Sequence, residues 1–281
     1  MKKSFLFLIL AFGTLLGAAE CRKHFQPFVG ATEKGEPFFF ENKTNNYVIT
    51  FRYTNPLPTA PPFVLAGMPA PVNLNGFSRY SFTWITLNGI DSRKLEPKKF
   101  EIFNKGSRAG VDVLYNFNGI SMTLRLEMDD TTPLLHLQWI RGKNVPAGAI
   151  KKMSINFNVM PCASAQKRNS YSRSIVTPRG ILRSPANIPR KRHKLTAKDR
   201  FMILQDDKYQ PGKAPKITSP VLLVPDWKAL RSGLAIFGTA QDMSLSFELD
   251  PAAASWKFGL LDSPKLQNNA EFAQFVKTVV K

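Results

Sequence analysis

The sequence is poor in the residues that most often carry chemistry. Its 281 positions hold two cysteines, Cys21 and Cys162, and three histidines, His24, His136 and His193. Neither cysteine has the CxxC spacing of a redox site, and no Cys/His ligand spacing occurs, so no metal is expected. GxSxG, HExxH and P-loop signatures are missing as well. Their absence removes common serine-hydrolase, metalloprotease and nucleotide-binding classes, and no cofactor is implied. No apolar run reaches the about 20 residues of a membrane-spanning helix, so no integral span is expected. Acids are scarce too: 20 Asp and Glu stand against 39 Lys and Arg, a formal charge of +19.

What is present starts with a leader. Lys2 and Lys3 precede an apolar run from Phe5 to Leu16, and Gly17-Ala18-Ala19 supplies small residues for a signal peptidase. These are the three parts of a secretory signal peptide. Glu20 sits where lipoprotein processing before Cys21 would need a small residue, which argues against lipidation. The expectation is a signal peptide at residues 1–19 and one exported domain at 20–281, periplasmic, cell-surface or extracellular. In an oxidising compartment Cys21 and Cys162 are expected to form one disulfide. Closing so long a loop is worth about 4–5 kcal/mol in the chain-entropy picture.

The positive charge is clustered. Between Lys167 and Arg200 there are eleven Lys or Arg and one acid, Asp199. The densest stretch is IPRKRHKL, residues 188–195, in which Arg190, Lys191, Arg192 and Lys194 are candidate ligand-binding residues. Export rules out nucleic acid as its partner and leaves anionic polysaccharide or another cell-surface polymer, attracted by salt-sensitive electrostatics. The segment is also rich in Ser, Pro and Asn, so residues 163–200 read as a mobile surface loop that need bind nothing.

Elsewhere the pattern is that of strands. In VDVLYNFNGISMTLRLEM, residues 111–128, two alternating runs flank Asn118-Gly119, the pair suited to a type I′ turn. TPLLHLQWI continues the meander, and ten further strand-like runs are separated by turns rich in Gly, Pro, Asn and Asp. Many short strands with hardly any helix predict an all-β fold, a large antiparallel β-sandwich. A single C-terminal helix is predicted in NNAEFAQFVKTVVK, where Phe272, Phe275, Val276 and Val279 form one stripe. Six prolines between Pro56 and Pro71 predict a semi-rigid loop there and exclude a central strand.

The stretches GVDVLYNFNGISMTLRLEMDDTTPLLHLQWI (110–140) and GLAIFGTAQDMSLSFEL (233–249) resemble the galactose-mutarotase-like β-supersandwich. That superfamily includes sugar epimerases and accessory domains of glycoside hydrolases and polysaccharide lyases. Its epimerases use a histidine acid and a glutamate base, which makes His136 a candidate catalytic residue; a satisfied structural histidine is the commoner role for such a residue. Carboxylates such as Glu127, Asp129, Asp130, Asp206 and Asp207 have no distinctive setting, and Asp129-Asp130 reads as a turn. Tyr171, Arg173 and His193 are the types a uronate lyase would use. Of four tryptophans, Trp84 and Trp139 sit in strands and read as core, whereas Trp227 is the better candidate for stacking on a sugar.

Three functions follow. The leading one is an exported binding or accessory module for anionic glycans. The others are a lyase or epimerase, and a structural envelope protein with a basic adhesive loop.

Overall fold

The computed structural model describes residues 19–25, 38–43, 48–53, 63–66, 83–129, 131–132, 134–146, 148–159, 173–183, 191–207, 220–237, 243–262 and 269–280. Strands β1 (Glu20–Phe25), β2 (Phe38–Lys43), β3 (Val48–Tyr53) and β4 (Phe63–Ala66) form an antiparallel four-stranded sheet in chain order. The expected processing point, after Ala19, falls at the start of β1.

From there the chain alternates between two larger sheets. Strands β5 (Thr83–Leu87) and β6 (Ile90–Asp91) begin a six-stranded sheet. Strands β7 (Lys99–Lys105), β8 (Arg108–Phe117), β9 (Ile120–Asp129) and β10 (Leu135–Arg141) are a meander in a nine-stranded sheet. Strand β11 (Met153–Val159) returns to the six-stranded sheet, and β12 (Arg173–Thr177) and β13 (Gly180–Arg183) go back to the nine-stranded one. Strand β14 (Arg192–Leu195) joins the six, and β15 (Met202–Asp206) and β16 (Val221–Pro225) the nine. Strands β17 (Leu230–Phe237) and β18 (Met243–Leu249) complete the six, β19 (Ser255–Asp262) completes the nine, and helix α1 (Asn269–Val279) follows.

In space the orders are β14-β17-β18-β11-β5-β6 and β13-β12-β15-β16-β19-β10-β9-β8-β7. The central hairpin forms as its sequence requires. Asn118 and Gly119 hold φ of 49° and 92°, and Tyr115 pairs with Met122 behind the turn. Asn88-Gly89 makes a second such turn, with φ of 49° and 87°, inside a stretch that reads as one continuous strand from its sequence.

Alternation builds the core. Ile85, Ile155, Phe157, Leu245 and Phe247 of the six-stranded sheet face Val111, Leu126, Leu137, Trp139 and Phe258 of the nine-stranded sheet in one buried cluster. Phe258 joins the layers directly, with ring centroids 5.0 Å from Phe157 and 5.5 Å from Phe247. The other face of the nine-stranded sheet is partly covered: Phe272 and Val276 of α1 are buried against Ile203, Leu222 and Leu261. The helical stripe thus docks on a sheet, as its spacing predicts.

Two expectations are corrected. The basic segment is not one loop. Residues 173–183 form the β12–β13 hairpin and 192–195 form β14; β13 and β14 are edge strands, which can carry exposed Arg and Lys. The proline-rich stretch contains β4, an edge strand paired with β3, which its short apolar FVLA run permits.

Candidate functional site

Two polar regions stand on the outer faces of the sandwich. The first covers the six-stranded sheet. In β5, β11 and β18 the inward residues are apolar and buried, and the residues between them include short amides and hydroxyls: Thr86, Ser154, Asn156, Asn158, Ser244 and Ser246, all half-buried. Ser244 donates to Asn158 Oδ1 at 2.8 Å, whereas the side chains of Thr86, Ser154, Asn156 and Ser246 make no hydrogen bond among the described residues. Directly paired residues share a face, so the register defines rows across the sheet. One row runs Lys194, Leu234, Ser246, Asn156, Trp84, and a parallel one runs Arg192, Ile236, Ser244, Asn158.

Both ends of the first row are built by local sequence. At one end, Leu195 is buried under Gly233 while Arg192 and Lys194 point out and are exposed. Neither cation pairs with an acid among the described residues. At the other end Trp84 alternates with the buried Ile85 and Leu87. The Arg93 guanidinium lies 4.0 Å over the Trp84 ring, and Arg93 Nε donates to both Asp91 oxygens at 3.1 and 3.0 Å. The charges of Arg93 and Asp91 largely cancel there, and Arg93 holds the Asp91 carboxyl below its usual range against the opposing effect of burial.

Of the basic candidates, Arg192 and Lys194 are thus brought onto one face. Lys191 is half-buried at the start of the strand, its carbonyl accepting from Phe237 N at 3.0 Å, and Arg190 lies outside the described residues. The lone acid of the segment, Asp199, is fully buried. It takes two hydrogen bonds from Arg179, at 2.7 and 2.6 Å, and one from Thr196 N at 2.9 Å. Asp199 is a structural lock, with its carboxyl held below the ordinary range by those donors despite burial. Trp227 serves the same lock. It is half-buried, donates Nε1–H to Asp199 O at 2.9 Å and meets the Phe247 ring edge-on at 5.8 Å. Trp84, not Trp227, is the tryptophan on an outer sheet face. Its alternation with Ile85 and Leu87 was the available signal. Trp139 and Trp256 are core.

The second region lies on the outer face of the nine-stranded sheet. His136 is opposite Glu127 of β9 and Gly259 of β19, and its Nε2 is 3.1 Å from Thr132 Oγ1. Burial pushes its imidazole below the usual pKa, opposed by Glu127 and Asp129. Glu127 is 3.6 Å from Arg108, and Asp129 accepts from Thr131 N at 2.8 Å, the turn bond its sequence implied. The next row brings Arg125 onto Asp112 in a two-point ion pair at 2.7 and 2.6 Å, with its guanidinium over Phe103.

The remaining candidates are scattered. Arg173 and His193 both lie against the Phe237 ring, at 5.9 and 5.5 Å, and Tyr171 is outside the described residues. Asp207 accepts from Ser174 and Arg183, and Asp130 is outside the described residues. Cys21 is a buried free thiol whose pKa burial pushes up to about 12, and Cys162 lies outside the described residues, so the expected bridge is not seen. Among the described residues no cluster of three His, Cys, Asp or Glu could hold a metal, and no helix is long and apolar enough to cross a membrane.

No protein-family model and no curated protein matches the sequence. Solved structures do match in fold. A protein assigned as an aldose 1-epimerase from Klebsiella pneumoniae is 10% identical, over 93% of this chain and 88% of that one, with a TM-score of 0.50. An alpha-galactosidase from Geobacillus stearothermophilus is 10% identical, with a TM-score of 0.48, over 86% of this chain and 42% of that one. An alpha-N-acetylgalactosaminidase from Bifidobacterium bifidum is 9% identical, with a TM-score of 0.46, over 91% of this chain and 36% of that one. This chain spans less than half of the last two. The architecture is that of the galactose mutarotase-like β-supersandwich, and the likeness is one of fold.

Proposed function

We propose that this protein is exported and binds an acidic glycan on the outer face of its six-stranded sheet. The observation that carries the reading is the register that sets Arg192 and Lys194 on the same face as Asn156, Asn158 and Ser246. A surface of amides and hydroxyls suits sugar hydroxyls, which need both donors and acceptors. Unpaired cations at its edge add long-range attraction to carboxylates. The leader at residues 1–19 and the fold it shares with carbohydrate-active proteins support the same reading.

The test is a glycan array probed with the chain from Glu20 to Lys281, at low and at high salt. A small set of related acidic glycans retained at high salt is the expected result. Equal binding to dextran sulfate, heparin and polyphosphate, all lost at high salt, would mean adhesive charge and no sugar site.

A second reading has its own observation. His136 and Glu127 face each other across β10 and β9, the two residue types a sugar epimerase uses. It requires turnover, read as anomer interconversion by polarimetry or, for a lyase, as new ultraviolet absorbance. Silence across aldoses and uronate polymers overturns it.

A further inference from the structure

We infer that the glycan lies across the strands of the six-stranded sheet with its acidic group at β14 and uncharged sugar against Asn156 and Trp84. The ligand class is then an oligosaccharide acidic at one position and neutral beyond it, as distinct from a uniformly charged polyanion. This rests on the glycan-binding reading above and specifies its site.

The argument is the distribution of charge along the rows. Along these two rows the cations without an acid partner among the described residues are Arg192 and Lys194, both on β14, at one edge. The next strand inward presents Leu234 and Ile236, and the two after it present Ser244, Ser246, Asn156 and Asn158. Four strand spacings of about 4.8 Å put Trp84 roughly 19 Å from Lys194, a span long enough for several sugar rings. At that far end the positive charge of Arg93 is already taken by Asp91. The neighbouring row carries an acid, Glu248, which is exposed on β18 and accepts from Ser232 at 3.3 Å. A polyanion laid along the row would bring its later carboxylates beside Glu248, where like charge repels it. Neutral rings meet no such penalty. They find unsatisfied amides and hydroxyls at Asn156 and Ser246, and an aromatic ring held in place by a stacked guanidinium.

Two groups of residues therefore act on different parts of one ligand, and salt separates them. The probes are three oligosaccharide sets of equal length: neutral hexoses, the same chains with one terminal uronate, and all-uronate chains. Binding is measured by calorimetry at about 50 mM and about 500 mM NaCl. The singly acidic set is expected to bind best. Arg192→Ala with Lys194→Ala is expected to reduce its affinity to that of the neutral set and to abolish the salt dependence. Trp84→Ala and Asn156→Ala are each expected to weaken both sets roughly tenfold and to leave the salt dependence intact. Arg192 and Lys194 are exposed and Trp84 and Asn156 half-buried on the outer face, and circular dichroism of each variant checks that the fold is kept. If all-uronate chains bind best, or if Trp84→Ala and Asn156→Ala have no effect, the inference fails while glycan binding stands. If none of the three sets binds at either salt, the glycan reading fails with it.

Discussion

Lys194 and Trp84 occupy the two ends of one cross-strand row, joined through Leu234, Ser246 and Asn156. They are 110 positions apart in the chain, and only the pairing of five strands aligns them. The alignment depends on the register of β14, since a slip of one residue would turn His193 and Leu195 outward and bury Arg192 and Lys194. Leu195 fixes that register by packing into the space that Gly233 leaves.

Gly233→Ala tests this directly. A Cβ at position 233 would stand 2.9 Å from Leu195 Cβ and 3.0 Å from the Phe247 ring. The ring is buried in the core, so β14 is the partner that must move. The variant is expected to lose about 1–3 kcal/mol in urea denaturation, as overpacked cores do. Amide exchange should accelerate in β14 more than in β11. Uniform acceleration across the six-stranded sheet would show that Gly233 does not set the edge strand.

Asp199→Asn should be costly for a residue in a basic surface segment. The carboxylate is buried and joins Arg179, in the β12–β13 turn, to Thr196 after β14. Removing its charge leaves the guanidinium and one amide without their anion, at a cost of roughly 2–3 kcal/mol. Because the folded pKa is depressed, this contribution is full above the ordinary carboxylate pKa and fades as pH falls through the folded value. Chemical denaturation at neutral pH and near pH 3 measures both parts. A variant as stable as the parent at neutral pH would contradict the lock.

Much of this fold was legible because its strands obey one rule strictly. The β8–β9 hairpin announces itself by two alternating runs around Asn118-Gly119, and the helix by Phe272 and Val276 on one stripe. The edge strands β13 and β14 were not legible. In Arg192–Leu195 the inward residues are His193 and Leu195, so half of the apolar signal is replaced by an imidazole, and four residues are too few to show a period. The site suffered for the same reason. Arg192 and Lys194 were visible as charge, but their common face with Asn156 depends on pairings between residues far apart in sequence. Trp84 reads as core from sequence because a tryptophan in a strand is usually inward, and the burial of Ile85 and Leu87 beside it reverses that.

The Cys21 thiol should be inert in the folded protein. Burial raises its pKa from 9.0 to about 12, so the thiolate fraction near neutrality falls about a thousand-fold. Iodoacetamide is expected to leave Cys21 unlabelled in the native state and to label it on denaturation without reductant. Protection that survives denaturation and disappears on reduction would instead establish a disulfide with Cys162. Rapid native labelling would contradict the burial.

His136 should make the protein acid-sensitive above the range where carboxylates titrate. Its folded pKa is depressed below 6.5, first by burial and then by Lys257, against the pull of Glu127 and Asp129. The unfolded chain therefore binds a proton at a pH where the folded one does not, and stability is lost as pH falls below the ordinary histidine value of about 6.5. One such group accounts for at most about 1.4 kcal/mol per pH unit. His193 is shifted the same way, by burial and then by Lys191, so it contributes to the same window. Lowered carboxylates such as Asp91, Asp129 and Asp199 act below it. His136→Gln cannot titrate but can still hydrogen-bond Thr132, so thermal melts between pH 7 and 5 should show a shallower decline than the parent. Adding His193→Gln should flatten it further. A slope unchanged by His136→Gln would mean that the imidazole takes up its proton freely in the folded state. It would then be hydrated enough for the acid–base role that its position opposite Glu127 offers.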